Sequence, residues 1–133
     1  MTLKVNALKR TSSLAKQACD LKVFYHHIYE YKKGIRNLIL TTEKSIYRQP
    51  IESRLNNEKI DYFIQEVNKD KINVFFGAQE CVNVVKTFGN KMLNEITPEQ
   101  DFMLGIMLGY DRLKQCSRYL KLKNNILIFK TSK

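Results

Sequence analysis

The sequence predicts an α+β domain built on one sheet of about three main strands, with helices on one face and a long C-terminal helix. Three observations carry this prediction. Val23–Tyr29 is an almost unbroken run of apolar, aromatic and His residues with strong β-propensity. Tyr62–Val67 and Ile72–Phe76 are strand-like runs separated by the polar stretch Asn68-Lys69-Asp70-Lys71, the pattern of a hairpin. Thr97-Pro98-Glu99-Gln100 supplies an N-cap Thr, a Pro at the first helical position and a Gln placed to close a capping box.

Taken in order, residues 1–20 form a basic, Ser-containing extension, flexible or weakly helical. Val23–Tyr29 is a buried strand, broken by Lys32-Lys33-Gly34. Ile35–Thr42 is apolar and β-branched and fits a short helix as well as a strand. From Ser45 to Asn57 the pattern turns helical, with Tyr47, Ile51 and Leu55 at i, i+4, i+8 and Pro50 in the first turn. After the hairpin, Gln79–Phe88 places Cys81, Val84, Val85 and Phe88 on one helical face and ends at Gly89-Asn90. The last helix runs from Pro98 to about Leu122. Beyond it, Ile126–Phe129 is a short apolar run that adds an edge strand or packs loosely. The order strand, helix, hairpin, helix, long helix is the ferredoxin-like, split-βαβ pattern. Domain bounds follow: a basic N-terminal extension over 1–21, a single α+β domain over 22–122, and a basic C-terminal tail over 123–133.

A chain of 133 residues with 44% hydrophobic and 27% charged residues suits one globular core. Its longest apolar run, Phe102–Tyr110, is nine residues, about half the ~20 that span a bilayer. Met1–Asp20 lacks the continuous apolar stretch of a secretory signal. Three cysteines without framework spacing read as reduced thiols. A cytoplasmic protein with no membrane contact is expected. The formal charge is +10, of which residues 1–21 contribute +3, residues 118–133 contribute +5 and the remainder +2. Basic ends keep a chain soluble and attract polyanions without selecting among them.

Three segments carry a resemblance: KVFYHHIYEYKKGIRNLILTT over 22–42, NVFFGAQEC over 73–81 and TPEQDFMLGIMLGYDRLKQCSRYL over 97–120. The third is the most specific, with Pro98, Glu99, Asp101, Phe102, Leu104, Gly105, Leu108, Gly109, Tyr110, Asp111, Gln115, Cys116, Arg118 and Tyr119 in place. Together they make residues 22 to about 121 resemble the small bacterial domain of unknown function twenty-twenty-three. The resemblance implies a three-stranded sheet with several helices, a homodimer, and no assigned activity. Residues 1–20 and 122–133 extend past the family's usual ends.

Candidate chemistry is sparse. On a strand, His26 and His27 point to opposite faces and cannot hold one ion together; Phe24, His26 and Ile28 face inward, while His27 joins Tyr25 and Tyr29. The spacing of these His residues from Cys81 and Cys116 matches no metal-ligand signature, so no metal, cofactor or catalytic residue is assigned. Cys81 sits in the first turn of its helix, where free N–H groups lower a thiol pKa, yet its stripe reads as a small buried hydrophobe. Gly105, Gly109, Cys116 and Leu120 line one side of the last helix. Two interior glycines call for close approach of another helix, either one within the chain or the same helix of a second subunit. A dimer interface of Phe102, Gly105, Ile106, Gly109 and Cys116 is therefore expected. Asp111, Gln115 and Arg118 form a polar stripe at i, i+4, i+7, read as a mutually paired face or, with His27 and Cys81, as a polar cleft at the dimer rim.

Three functions fit. The preferred one is a non-catalytic, homodimeric binding or regulatory module for an acidic partner protein. A single-strand nucleic-acid binder would need Tyr25, Tyr29, Phe63 and Phe75 on an uncovered sheet face. A small metal- or thiol-dependent enzyme would need His27, Cys81, Cys116 and Asp111 to converge.

Overall fold

The computed structural model describes residues 13–131, with side chains through Ile126. The first twelve residues of the expected extension and the last two of the tail lie outside the described residues. The chain divides into two compact units, residues 1–35 and 36–133.

In the first unit, residues 13–20 are helical (α1) and lead through Leu21 into α2 (Lys22–Lys32). The strand expected at Val23–Tyr29 is therefore a helix. The exposures give the reason. Leu21, Phe24 and Ile28 are buried at steps of three and four, whereas Val23 and Tyr29 are 62% and 54% exposed. That is a helical period, and it overrides the β-propensity of the individual residues. His26, expected inward, is exposed, while His27 is half-buried. Both reach Glu30, at 3.6 Å from His26 Nε2 and 3.1 Å from His27 Nδ1.

The second unit holds a three-stranded antiparallel sheet in the order β1-β3-β2. Its strands are β1 (Leu38–Lys44), β2 (Asp61–Glu66) and β3 (Lys71–Gly77). The ambiguous segment around Ile35–Thr42 thus supplies the first strand. After a 3-10 turn at Ser45–Tyr47, α3 (Arg48–Asn57) connects β1 to β2 and buries Ile51 and Leu55. Pro50 stands in the first turn of α3, where a missing N–H costs no intrahelical bond. The hairpin forms as expected, with Tyr62 opposite Phe76 and Gln65 opposite Asn73.

Every residue of β3 from Ile72 to Gly77 is buried, so the central strand is covered on both sides, whereas β2 is half-buried along its middle. On one side Leu38 and Phe75 pack with Val82, Val85 and Phe88 and with Leu104 and Leu108. The first three of these partners belong to or follow α4 (Gln79–Lys86). Within α4 the fully buried residue is Val82, which lies off the expected stripe, while Cys81 and Val84 of that stripe are partly buried against the same core. Farther along the same side, Thr42 donates to Asn73 at 2.7 Å, and Asn73 reaches Gln65 at 3.5 Å. This row satisfies Asn73, the buried polar residue of the sheet.

The single long helix expected from Pro98 to Leu122 is two helices. α5 (Pro98–Met107) opens with the expected capping box between Thr97 and Gln100. It stops at Gly109, whose φ of 83° places it in the left-handed region favoured by glycine. Tyr110 N then donates to Gly105 O at 3.1 Å and Gly109 N to Ile106 O at 3.1 Å, closing the helix end. Asp111 caps the next helix, accepting from Lys114 N at 2.9 Å. α6 (Arg112–Thr131) runs for 20 residues, so the backbone of Ile126–Phe129 is helical rather than an edge strand. Among the described residues no helix is long and apolar enough to cross a membrane.

Candidate functional site

The C-terminal hairpin α5–α6 is where chemistry-bearing side chains gather. Its pairing is antiparallel, since contacts early in α5 fall late in α6. Glu99 meets Lys123 and Tyr119, Asp101 meets Arg118, and Gly105 lies under Gln115. Arg118 is bidentate on Asp101, Nε to Oδ2 at 2.8 Å and Nη2 to Oδ1 at 3.1 Å. Tyr119 donates its hydroxyl to Glu99 Oε2 at 2.9 Å, and Lys123 Nζ lies 2.8 Å from the same oxygen. The Phe102 and Tyr119 rings meet at 5.7 Å.

These contacts set the local acidities. The hydrogen bonds from Lys123 and Tyr119 hold the Glu99 carboxyl below its ordinary range. In return, the bond to Glu99 raises both the Tyr119 phenol and the Lys123 ammonium. The bond to Asp101 raises the Arg118 guanidinium.

The small-residue stripe expected along one helix is divided. Gly105 belongs to α5 and Cys116 to α6, with Gly109 in the turn between them. Each glycine has its own reason. Gly109 supplies a positive φ. Gly105 makes room within the chain, because a Cβ there would collide with Gln115 Oε1. The polar stripe also resolves into separate duties: Asp111 caps α6, Gln115 lies over Gly105, and Arg118 grips Asp101. Cys81 sits half-buried at the edge of the α4 core. Burial first, then the negative charge of Glu80, pushes its thiol upward, the direction a partly buried apolar role implies and not that of a thiol activated at a helix start. His27 lies in the first unit beside Glu30.

What remains unspent is an apolar surface. Glu99, Phe102, Met103, Cys116, Tyr119 and Leu120 line a groove of about 580 Å³. Met103, Ile106 and Leu120 are 41%, 36% and 58% exposed, and Leu113 nearby is 76% exposed. None of the described side chains of α6 is buried, although Leu113, Leu120, Leu122 and Ile126 are among them. Leu120 of this surface belongs to the expected stripe with Cys116, whereas Met103 stands outside the expected set. The spacing of Leu113, Cys116 and Leu120, at i, i+3, i+7, was the available signal.

The nucleic-acid alternative loses its geometric support. Tyr25 and Tyr29 belong to α2, not to a strand, and Phe63 and Phe75 pair at 6.0 Å, with Phe75 inside the core. They do not make a stacking platform on an open sheet face. Among the described residues no three His, Cys, Asp or Glu side chains gather as a metal-binding group.

The profile of a family described as Protein of unknown function (DUF2023) matches residues 22–122. No curated protein matches the chain.

Proposed function

Because the chain belongs to the DUF2023 family, whose description assigns no activity, we propose a function from the hairpin alone: a non-catalytic binding module that acts as a homodimer and docks an acidic partner protein. The observation that carries the dimer is α6 itself. A helix of 20 residues that packs on α5 along one side yet has no buried side chain among those described gains little of the apolar burial that stabilises most helices in water. Its apolar stripe, Leu113, Cys116 and Leu120, continues the face formed by Phe102, Met103 and Ile106 of α5. Closing that face against the same face of a second copy buries both and gives a symmetric, four-helix contact. Phe102, Ile106 and Cys116 of the expected interface lie on this surface; Gly105 and Gly109 serve the hairpin that presents it.

The strand order supports a ferredoxin-like reading of the frame. β1 and β2 both run antiparallel to the β3 that separates them, and α3 links them, an order in keeping with a split βαβ that has no fourth strand among the described residues. The free thiols Cys19, Cys81 and Cys116 suit a reducing, cytoplasmic setting.

Hydrogen exchange measured over a range of protein concentrations tests the dimer. Amide protection along α6 should rise as the protein is concentrated through its dissociation constant. Protection that is the same at every concentration would remove the dimer from the reading.

A further inference from the structure

α6 contains six basic residues and no acidic one. Two of the six, Arg118 and Lys123, are neutralised within the hairpin by Asp101 and Glu99. Lys114 and Lys121 make no ion pair among the described residues. They stand seven positions apart, which on a helix is one stripe with the charges about 10.5 Å apart along the axis. Ser117 lies between them on the same flank. Leu113, Lys114, Gln115, Ser117, Lys121 and Leu122 are among the residues that line a groove of about 640 Å³ along this flank. Counting at ~100° per residue, Lys114 and Lys121 lie well round the helix from Cys116 and Leu120. The two ammonium groups thus face a different side of the helix from the Cys116 and Leu120 stripe, and Leu113 lies at the border between the two surfaces.

Resting on the binding-module reading, we infer that the flank of α6 around Lys114, Ser117 and Lys121 is the docking site for an acidic, partly apolar helical segment of a partner protein. Charge selects the occupant. A second copy would bring Lys against Lys across the two-fold axis, and α6 has no carboxylate with which to answer. A helix with carboxylates seven positions apart matches the two ammonium groups, and its apolar residues cover Leu113 and Leu122. A single nucleic-acid strand would match the charge but leave these leucines without partners, and the flank offers no aromatic ring on which bases could stack.

The test uses the full chain and a fluorescein-labelled helical peptide carrying Glu at positions separated by three, four and seven residues, with Leu between them. A second peptide replaces every Glu by Gln, and labelled oligouridylate serves as the nucleic-acid probe. The Glu peptide should bind in a salt-dependent manner and the Gln peptide should not. Lys114→Glu with Lys121→Glu should weaken binding by about tenfold or more, the scale of two surface charge pairs reversed. Lys69→Glu with Lys86→Glu should leave it unchanged. Circular dichroism and native mass of both variants establish that the fold and assembly are intact. Equal binding by the Lys114/Lys121 variant, equal binding of the Gln peptide, no binding of either peptide, or tighter binding of oligouridylate would each overturn the assignment. Leu120→Glu separates the two claims. A monomeric Leu120 variant that still binds the Glu peptide keeps the docking flank independent of the dimer, and a wild-type chain that proves monomeric yet binds the peptide refutes the dimer alone.

Discussion

Arg118 forks onto Asp101 with two hydrogen bonds of 2.8 and 3.1 Å, and this pair sets the register of α6 on α5. Both bonds reach across the α5–α6 turn, from the middle of one helix to the first turn of the other. The planar guanidinium matches both carboxylate oxygens at once, which fixes orientation as well as distance.

Arg118→Lys keeps the charge and loses the fork. With Arg118 58% exposed, the loss should be about 0.5–1 kcal/mol in chemical denaturation. Asp101→Asn should cost a similar amount, and the double variant should cost less than the two added together, because the residues act on one another.

Gly105 and Gln115 should couple in the opposite sense. Gly105→Ala gains helix propensity of about 1 kcal/mol but forces the Gln115 side chain aside. Gly105→Ala alone should therefore be close to neutral. In a Gln115→Ala background it should stabilise by about 1 kcal/mol, which a double-mutant cycle of unfolding midpoints would read directly.

Gly109→Ala should destabilise by about 1–2 kcal/mol, because the positive φ that ends α5 is strained for any residue with a Cβ. Gly109→Asn should recover part of the loss, since Asn tolerates this region better. Thermal unfolding of the two variants side by side checks the order.

The Glu99 cluster predicts a pH window. Glu99 has its pKa lowered in the folded state, so its contribution is present above the ordinary carboxylate range and is lost as pH falls through the folded value. Tyr119 and Lys123 have theirs raised, so their contributions are present below their ordinary values and are lost as pH climbs past the folded ones. The clasp is complete between these limits. An NMR titration should find Glu99 titrating below the ordinary carboxylate range, and Glu99→Gln should remove both the acid limb and the elevation of Tyr119.

Much of the fold was legible in the sequence where one periodic signal stood alone. The hairpin of β2 and β3 had a polar turn between two β-rich runs, and the start of α5 had its capping box; both formed as read. The misreadings came where two signals competed. In α2, the residue types of Val23–Tyr29 favour a strand, and the Leu21, Phe24, Ile28 period decided for a helix. In Phe102–Tyr110, continuous apolar character hid a helix end, although Gly109 followed by Asp111 is a C-terminal stop and a new N-cap in close succession. Missing that turn made Gly105, Gly109 and Cys116 look like one stripe. The clasp of Asp101 with Arg118 and Glu99 with Lys123 depends on chain reversal, so no spacing within a single helix could reveal it.

The most direct measurement is sedimentation equilibrium of the wild-type chain beside Met103→Glu and Leu120→Glu, at several concentrations and two salt levels. A carboxylate on an apolar face disrupts association without disturbing a side chain that is exposed in the single chain. The account predicts a wild-type dimer that persists in high salt, as an apolar contact should, and folded monomers for both variants. A wild-type chain that stays monomeric at every concentration, or variants that remain dimeric, would contradict it.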